Sequence, residues 1–455
     1  MPILPIDTSR YGTEEMKKIF EEESKLQRML DVEAALAWAH AQVGNIPQKD
    51  AETIMKKAST QFVKIKRVKT IEREIVHDVA SIVRALAEQS GSSGAYVHLG
   101  ATSYDIVDTA NALMLKDAVK LIEQKSNALE QILMKKASKY NKTIMIGRTH
   151  GQHALPITLG FKLAVWMRQN ARNILRLKQC SERLLVGKMA GAVGTQAGLG
   201  RHAMKIQELV MERLGIKHAD ISTQIVQRDR HAEFICILAI IASSLDNIAT
   251  EIRQLQRPEI AEMFEAFDRE KRVGSSTMPQ KRDPETCETV CGLAKIMRSL
   301  VLPSLENVKT WHERDMTQSS AERFLIPESC ILVDYMLVRM INVLTNLRVD
   351  EEKMQQNLNI TQGRTMSEAV MTALVRKGMN RQEAHELLRK LTSESELENC
   401  HFKDVLVKSK KIRKFLTGKE IDDALDPLKY LGTAIEQVKL MIEKTQQERK
   451  TRVLI

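Results

Sequence analysis

The sequence of 455 residues predicts an all-α protein, with three helical domains built around a central bundle of five long helices. Apolar residues recur at helical spacing over unusually long runs. No stretch between those runs alternates with the period of a strand, and proline or glycine punctuates the ends. The clearest run is Phe234, Leu238, Ile241, Leu245, Ile248, Ile252 and Leu255, whose steps alternate between four and three until Pro258 closes it. A second run, Val107 to Lys139, carries Leu115, Val119, Ile122, Leu129 and Leu133 on one face. A third opens at Pro156, a residue suited to the first helical position, and continues through Leu159, Leu163, Trp166 and Ile174. The fourth follows Pro284 and reaches Leu302 before Pro303, and the fifth runs from Ser319 through Leu347. These runs set the expected boundaries: an N-terminal helical domain at 1–104, the bundle at 105–348 and a C-terminal helical domain at 349–455. Gly44-Asn45-Ile46-Pro47 and Gly91-Ser92-Ser93-Gly94 divide the shorter helices of the first, and the polar stretch Asn357 to Thr365 opens the last. Long helices that each expose an apolar stripe also predict an oligomer.

Composition narrows the class. With 43% apolar and 28% charged residues, the chain has the balance of a globular protein. Aromatics are 4% against 22 methionines, which points to aliphatic and thioether packing between helices. The six cysteines follow neither a disulfide nor a zinc spacing, and Cys287 and Cys291 are expected in the core. The start lacks a signal layout and no uninterrupted apolar run approaches the roughly 18 residues of a membrane span. The expectation is a reduced, cytoplasmic setting without membrane attachment. The formal charge of +11 is spread along the chain and forms no basic arm, so a nucleic-acid partner is not expected.

Four polar segments interrupt the apolar pattern. Gly274-Ser275-Ser276-Thr277-Met278-Pro279-Gln280-Lys281-Arg282-Asp283-Pro284 is a shaped loop, because two prolines remove backbone donors. It is small at one end and cationic at the other, as suits a lid over an anionic substrate. In His98-Leu99-Gly100-Ala101-Thr102-Ser103-Tyr104-Asp105, Thr102 and Ser103 stand at a helix start, where hydroxyls and N–H groups cap the helix or cradle a carboxylate. Gly147-Arg148-Thr149-His150-Gly151-Gln152-His153 places two histidines in a loop. The segment Trp311 to Arg323 offers Arg314, Ser319 and Arg323, either to surface ion pairs or to a phosphate, which guanidinium groups bind bidentately.

Together these segments resemble the fumarase/aspartase superfamily, whose GSSxMPxKxNP loop the first one matches. Arg148-Thr149-His150-Gly151-Gln152-His153, Ser222-Thr223-Gln224, Gln227-Arg228-Asp229-Arg230-His231 and His312-Glu313-Arg314-Asp315 resemble the adenylosuccinate lyase family within it, as do Arg10-Tyr11 and His77-Asp78. The resemblance runs from about residue 10 to at least 365. It implies β-elimination of fumarate from a succinylated purine nucleotide or ribotide, without metal or organic cofactor. Such chemistry needs a base for a carbon-bound proton, cations and N–H groups for a dianionic intermediate, and an acid for the leaving nitrogen. By resemblance Ser275 is the base, working as an alkoxide supported by Lys281 and loop amides. His150 is the general acid, oriented by Glu288, and His77 assists. Thr102, Ser103, Gln224, Ser276 and Lys281 hold carboxylates, with His98, Arg282 and Asp283 also on the substrate side. Arg10, Tyr11, Arg314, Ser319 and Arg323 hold phosphate and ribose, and Asp78 lies near the base. The family assembles each site from three subunits, which implies a homotetramer with a shared helical core.

Asp283 departs from the family pattern, which has asparagine there, and Gln280 from the histidine common at its position. An ionised aspartate cannot donate to a substrate carboxylate and repels it. Neutralisation by Lys281 or Arg282, protonation, or turning away would each resolve the conflict. Otherwise the chain is a catalytically impaired paralogue. An argininosuccinate lyase-like or cycloisomerase reaction is the enzymatic alternative, and the phosphate-type set argues against it.

Overall fold

The computed structural model describes residues 3–266 and 276–452. Five helices precede the bundle: α1 (Glu14–Phe20), α2 (Glu22–Gln42), α3 (Gln48–Lys57), α4 (Ile65–Ile75) and α5 (Asp78–Ser90). The bundle begins with α6 (Ser103–Lys139), followed by the hairpin strands β1 (Ile144–Thr149) and β2 (Gln152–Thr158). Next come α7 (Leu159–Leu184), α8 (Ala203–Leu214), α9 (Asp229–Gln256), α10 (Glu285–Ser299), α11 (Val301–Glu306) and α12 (Thr317–Thr345). The chain then continues through α13 (Glu351–Asn359), α14 (Ser367–Arg376), α15 (Arg381–Leu397), α16 (Phe402–Lys408), α17 (Lys410–Arg413), α18 (Gly418–Leu425) and α19 (Ala434–Thr451).

Three large apolar cores among the described residues organise these elements. The largest joins α6, α7, α9, α10 and α12, and every member of the Phe234 to Leu255 stripe is buried in it. At about 1.5–3 kcal/mol for each buried leucine or isoleucine, this seam supplies much of what aligns the long helices. A second core packs Leu30, Leu36, Ile54, Ile71 and Leu86 against Ile206 and Val210 of α8. A third lies among α14–α18, around Phe402, Leu374 and Leu406. The last helix, α19, returns to the first core: Arg168 of α7 pairs bidentately with Glu448, and Arg449 and Arg452 close on the buried Glu130 of α6.

Three local expectations are corrected. Pro156 does not open a helix; it sits in β2 opposite Ile146, and α7 starts three residues later, where Thr158 Oγ1 accepts from Phe161 N–H at 3.1 Å. A two-stranded ribbon tolerates a proline that donates to no further neighbour. Pro303 lies inside α11 near its start, where its missing N–H has no intrahelical partner to lose. Finally, α9 is long and apolar enough to span a membrane, although Ser243, Ser244 and Asp246 break its uninterrupted apolar run. Most of its apolar residues are buried in the bundle seam, Ile240 being an exposed exception.

The direction of the helices matters most for the site. The starts of α6, α9 and α12 meet at one end of the bundle: Tyr104 reaches Ser319, and Arg228 reaches Asp108 and Glu322. The end of α9 meets the hairpin and the start of α10 at the other: Glu262, beside Leu255, holds Arg148, and Glu265 caps Thr286 and Cys287. With 28 residues in α9, the two ends stand about 42 Å apart.

Candidate active site

A cleft of about 700 Å³ opens at the first end, where α5, α6 and the entry to α12 converge on the start of α2. Its lining includes His77, Asp78, Ser103, Arg314, Ser319 and Arg323. Each is fixed by local backbone chemistry. His77 is the N-cap of α5, its Nδ1 accepting from Ala80 N–H at 3.3 Å, and the left-handed Val76 (φ +51°) turns the chain into it. Asp78 Oδ1 accepts from Val79 N–H, while Oδ2 takes Arg323 Nη2 at 2.8 Å, which draws α5 and α12 together. Ser103 is the first residue of α6, after Thr102 at the N-cap, and Asp105 Oδ2 accepts Thr102 N–H at 2.8 Å. The Asp105 carboxylate is fully buried, paired with Lys188, and also accepts Ala190 and Gly191 N–H at 2.8 and 3.0 Å. The α6 start is therefore clamped to the 188–191 loop.

Arg314 lies with its guanidinium 3.7 Å above the Tyr104 ring, and its Nη1 donates to Gln224 Oε1 at 2.8 Å. Gln224 Nε2 donates to Ala192 carbonyl at 2.7 Å, so the amide expected to hold a substrate carboxylate braces Arg314 within this chain. Beneath them Arg228 is buried between Asp108, with contacts at 2.9 Å, and Glu322 at 2.6 Å. Burial disfavours both charges, but Asp108 and Glu322 push the Arg228 pKa up, and Arg228 holds the Asp108 carboxyl below its ordinary range despite desolvation. Losing one partner of such a buried set costs about 3–5 kcal/mol, so the network is a rigid floor.

His98 stands outside the cleft lining. Its backbone is left-handed (φ +65°) and its Nδ1 lies 2.6 Å from Glu33 Oε1. Burial works against a charge on this ring, but Glu33 outweighs it and holds the pKa above the usual histidine value.

The remaining expected residues lie elsewhere. His150 and Gly151, both with positive φ (+53° and +75°), form the exposed two-residue turn of the hairpin, a type I′ geometry that projects the imidazole from its tip. Glu288 sits in the first turn of α10 with its carboxylate 3.8 Å from Arg253, so the expected support of His150 is not made within one chain. Lys281 Nζ lies 3.3 Å from Asp283 Oδ1, which is the neutralisation by Lys281. The Arg282 carbonyl accepts from Gln256 Nε2 at 3.0 Å, placing this loop, with the exposed Ser276, at the far end of α9. Ser275, the expected base, lies outside the described residues. Tyr11 packs on Tyr335 with centroids 5.7 Å apart, twelve residues or about 18 Å along α12 from Arg323, and Arg10 is exposed nearby.

One chain thus places the expected residues in two separate groups, those around the cleft at one end and the histidine and lysine loops at the other. Sequence reasoning passed over Lys25, Tyr104, Asn111 and Glu322 of the cleft. Lys25 has no motif around it. Burial, and then the neighbouring Arg323, lower its pKa, with Asp78 and Glu22 acting in the opposite sense.

The chain matches the family model described as "Lyase" over residues 9–297 and the one described as "Adenylosuccinate lyase C-terminus" over residues 363–441. Among solved structures it superposes on a fumarate lyase from Mesorhizobium sp. BNC1 with a TM-score of 0.88 and 30% identity, covering 95% of this chain and 98% of that one. The 3-carboxy-cis,cis-muconate lactonizing enzyme of Pseudomonas putida gives 0.89 and 32%, covering 98% and 99%. Fold and motifs together define a lyase of the fumarase/aspartase superfamily. The adenylosuccinate lyase of Pyrococcus horikoshii is 51% identical over 447 residues, 98% of this chain and 99% of that one. That of Methanothermobacter thermautotrophicus is 48% identical over 448 residues, 98% and 100%. The chain belongs to the adenylosuccinate lyase family and is a carbon–nitrogen lyase.

Proposed function

We propose that the protein eliminates fumarate from adenylosuccinate to give AMP, and from the succinylated carboxamide ribotide to give its free carboxamide. The observation that carries this reading is the cleft at the head of α12, where Arg314, Ser319, Arg323 and Lys25 line a space of nucleotide size. Neither argininosuccinate nor carboxymuconate carries a phosphate for such a set.

In the reaction, Ser275 removes a proton from the succinyl carbon next to a carboxylate. The electron pair left behind forms the double bond of fumarate as the carbon–nitrogen bond breaks, and His150 gives its proton to the departing nitrogen. Lys281, Ser276, Thr102 and Ser103 hold the carboxylates as charge builds on them.

Thr102 and Ser103 stand at one end of α9 in one chain, and His150, Ser276 and Lys281 at the other, about 42 Å away. A complete site therefore takes its ends from different subunits of a homotetramer. The apolar residues left exposed on the bundle support that assembly: Val165 and Leu175 on α7, Ile240 on α9, Ile296 on α10 and Phe324 on α12. The setting we propose is the cytoplasm, with no metal or organic cofactor. The Lys281–Asp283 pair favours an active enzyme over an impaired one, because it offsets the charge that asparagine would not bring.

The test is a steady-state assay with adenylosuccinate and argininosuccinate side by side. Turnover of adenylosuccinate is expected. Turnover of argininosuccinate alone would sink the assignment.

A further inference from the structure

We propose that Tyr104 is a positioning residue that makes the cleft specific for a phosphate-bearing substrate, by holding Arg314 and Ser319 as one unit. The proposal rests on the reading of the cleft as a nucleotide site.

Tyr104 is the second residue of α6 and is only 6% exposed, in a helix start clamped by Asp105. Two guanidinium groups lie over its ring, Arg314 at 3.7 Å and Arg228 at 5.9 Å from the centroid. Stacking fixes the plane of Arg314, and Gln224 fixes its rotation through Nη1. The buried Nε of Arg314 has no hydrogen-bond partner among the described residues.

The phenol end does something separate. Tyr104 O–H donates to Ser319 Oγ at 2.7 Å. A hydroxyl that already accepts is left with its own proton to give, so Ser319 is polarised as a donor toward an acceptor-only group such as a phosphate oxygen. Ser319 is also the third residue of α12, where the backbone N–H precedes the first intrahelical bonds and adds a further donor. One aromatic side chain thus sets the plane of one anion ligand and the hydrogen-bond polarity of another, on either side of the turn into α12.

The test compares Tyr104→Phe and Tyr104→Leu with the parent on adenylosuccinate and on its dephosphorylated nucleoside. Tyr104→Phe keeps the stack and removes the polarising bond. It is expected to raise KM for the nucleotide about two- to tenfold with kcat within about twofold, and to leave the nucleoside parameters unchanged. Tyr104→Leu removes both contacts and should cost more on the nucleotide alone; if it does not fold, Tyr104→Phe decides. In a Ser319→Ala background, Tyr104→Phe should add no further loss. Equal losses on both substrates, a fall in kcat at constant KM, or full additivity with Ser319→Ala would overturn the proposal. A parent that does not prefer the nucleotide to the nucleoside would overturn the nucleotide reading itself, and the proposal with it.

Discussion

Mixing two inactive variants tests the division of the site between chain ends. His150→Gln removes the expected acid at the hairpin end, and Arg314→Met removes a cation at the cleft end. His150→Gln is expected to lower kcat/KM by at least about a hundredfold, the range for a lost proton donor, and Arg314→Met by about ten- to a hundredfold, the range for a lost charge-assisted contact. The two positions lie at opposite ends of a helix of 28 residues, about 42 Å long, so no rearrangement of loops brings them together in one chain. A site that takes one end from each of two subunits is intact only when both contributors carry the unmutated copy. Equimolar random mixing gives that combination in about one site in four, so the mixture should recover about a quarter of the parent activity from nearly inactive components. The assay is the fall in substrate absorbance after subunit exchange, with mixed oligomers confirmed by native mass spectrometry. Activity that stays at the mean of the two variants, although mixed oligomers are present, would refute the shared site.

Three other substitutions probe single features. Asp283→Asn releases Lys281 from its 3.3 Å partner and removes a negative charge near the substrate carboxylates, so kcat/KM should rise by up to about fivefold; an inert parent with strong gain would instead mark a decayed enzyme. Lys25→Met should raise KM for the nucleotide by about tenfold, the worth of one charged hydrogen bond, and an unchanged KM would exclude Lys25 from binding. The His98–Glu33 pair raises the folded-state pKa of the histidine above its unfolded value near 6.5. Its stabilisation is therefore complete below that value and is lost as pH rises through the folded value. In thermal melts from pH 5 to 9, the parent should lose its advantage over His98→Gln as the solution becomes alkaline, and a difference that grows with pH would contradict the assignment.

What the sequence made legible follows from which forces leave a periodic trace. A helix that buries one face must repeat its apolar residues, so the stripe from Phe234 to Leu255 announced the body of α9 and its end to within a residue, while the first turn, Asp229 to Glu233, is largely polar and lay outside it. The cleft motifs were legible for a related reason. Thr102, Ser103 and Ser319 stand at helix starts, where polar side chains and unpaired N–H groups coincide. The hairpin left no such trace, because a register shift between Ile146 and Arg148 breaks its alternation and Pro156 imitates a helix start. Lys25 was invisible for another reason. It occupies an ordinary helical position and gains its character from burial and from Arg323 and Asp78, about three hundred and about fifty residues further along the chain, which the fold brings around it.

The bipolar layout explains why the motifs are scattered along the sequence. Long helices in a bundle separate their own ends by tens of ångströms, so residues close in space must come from the starts of some helices and the ends of others. In this chain the starts of α6, α9 and α12 share one end with Arg228, while the hairpin, the end of α9 and the start of α10 share the other with Glu262 and Glu265. In the homotetramer proposed above, a second bundle running antiparallel would bring its far end beside the near end of the first. The exposed Val165, Leu175, Ile240 and Ile296 give such a neighbour an apolar face to cover. The same burial that stabilises the assembly would then complete the site, and neither half would retain its chemistry alone.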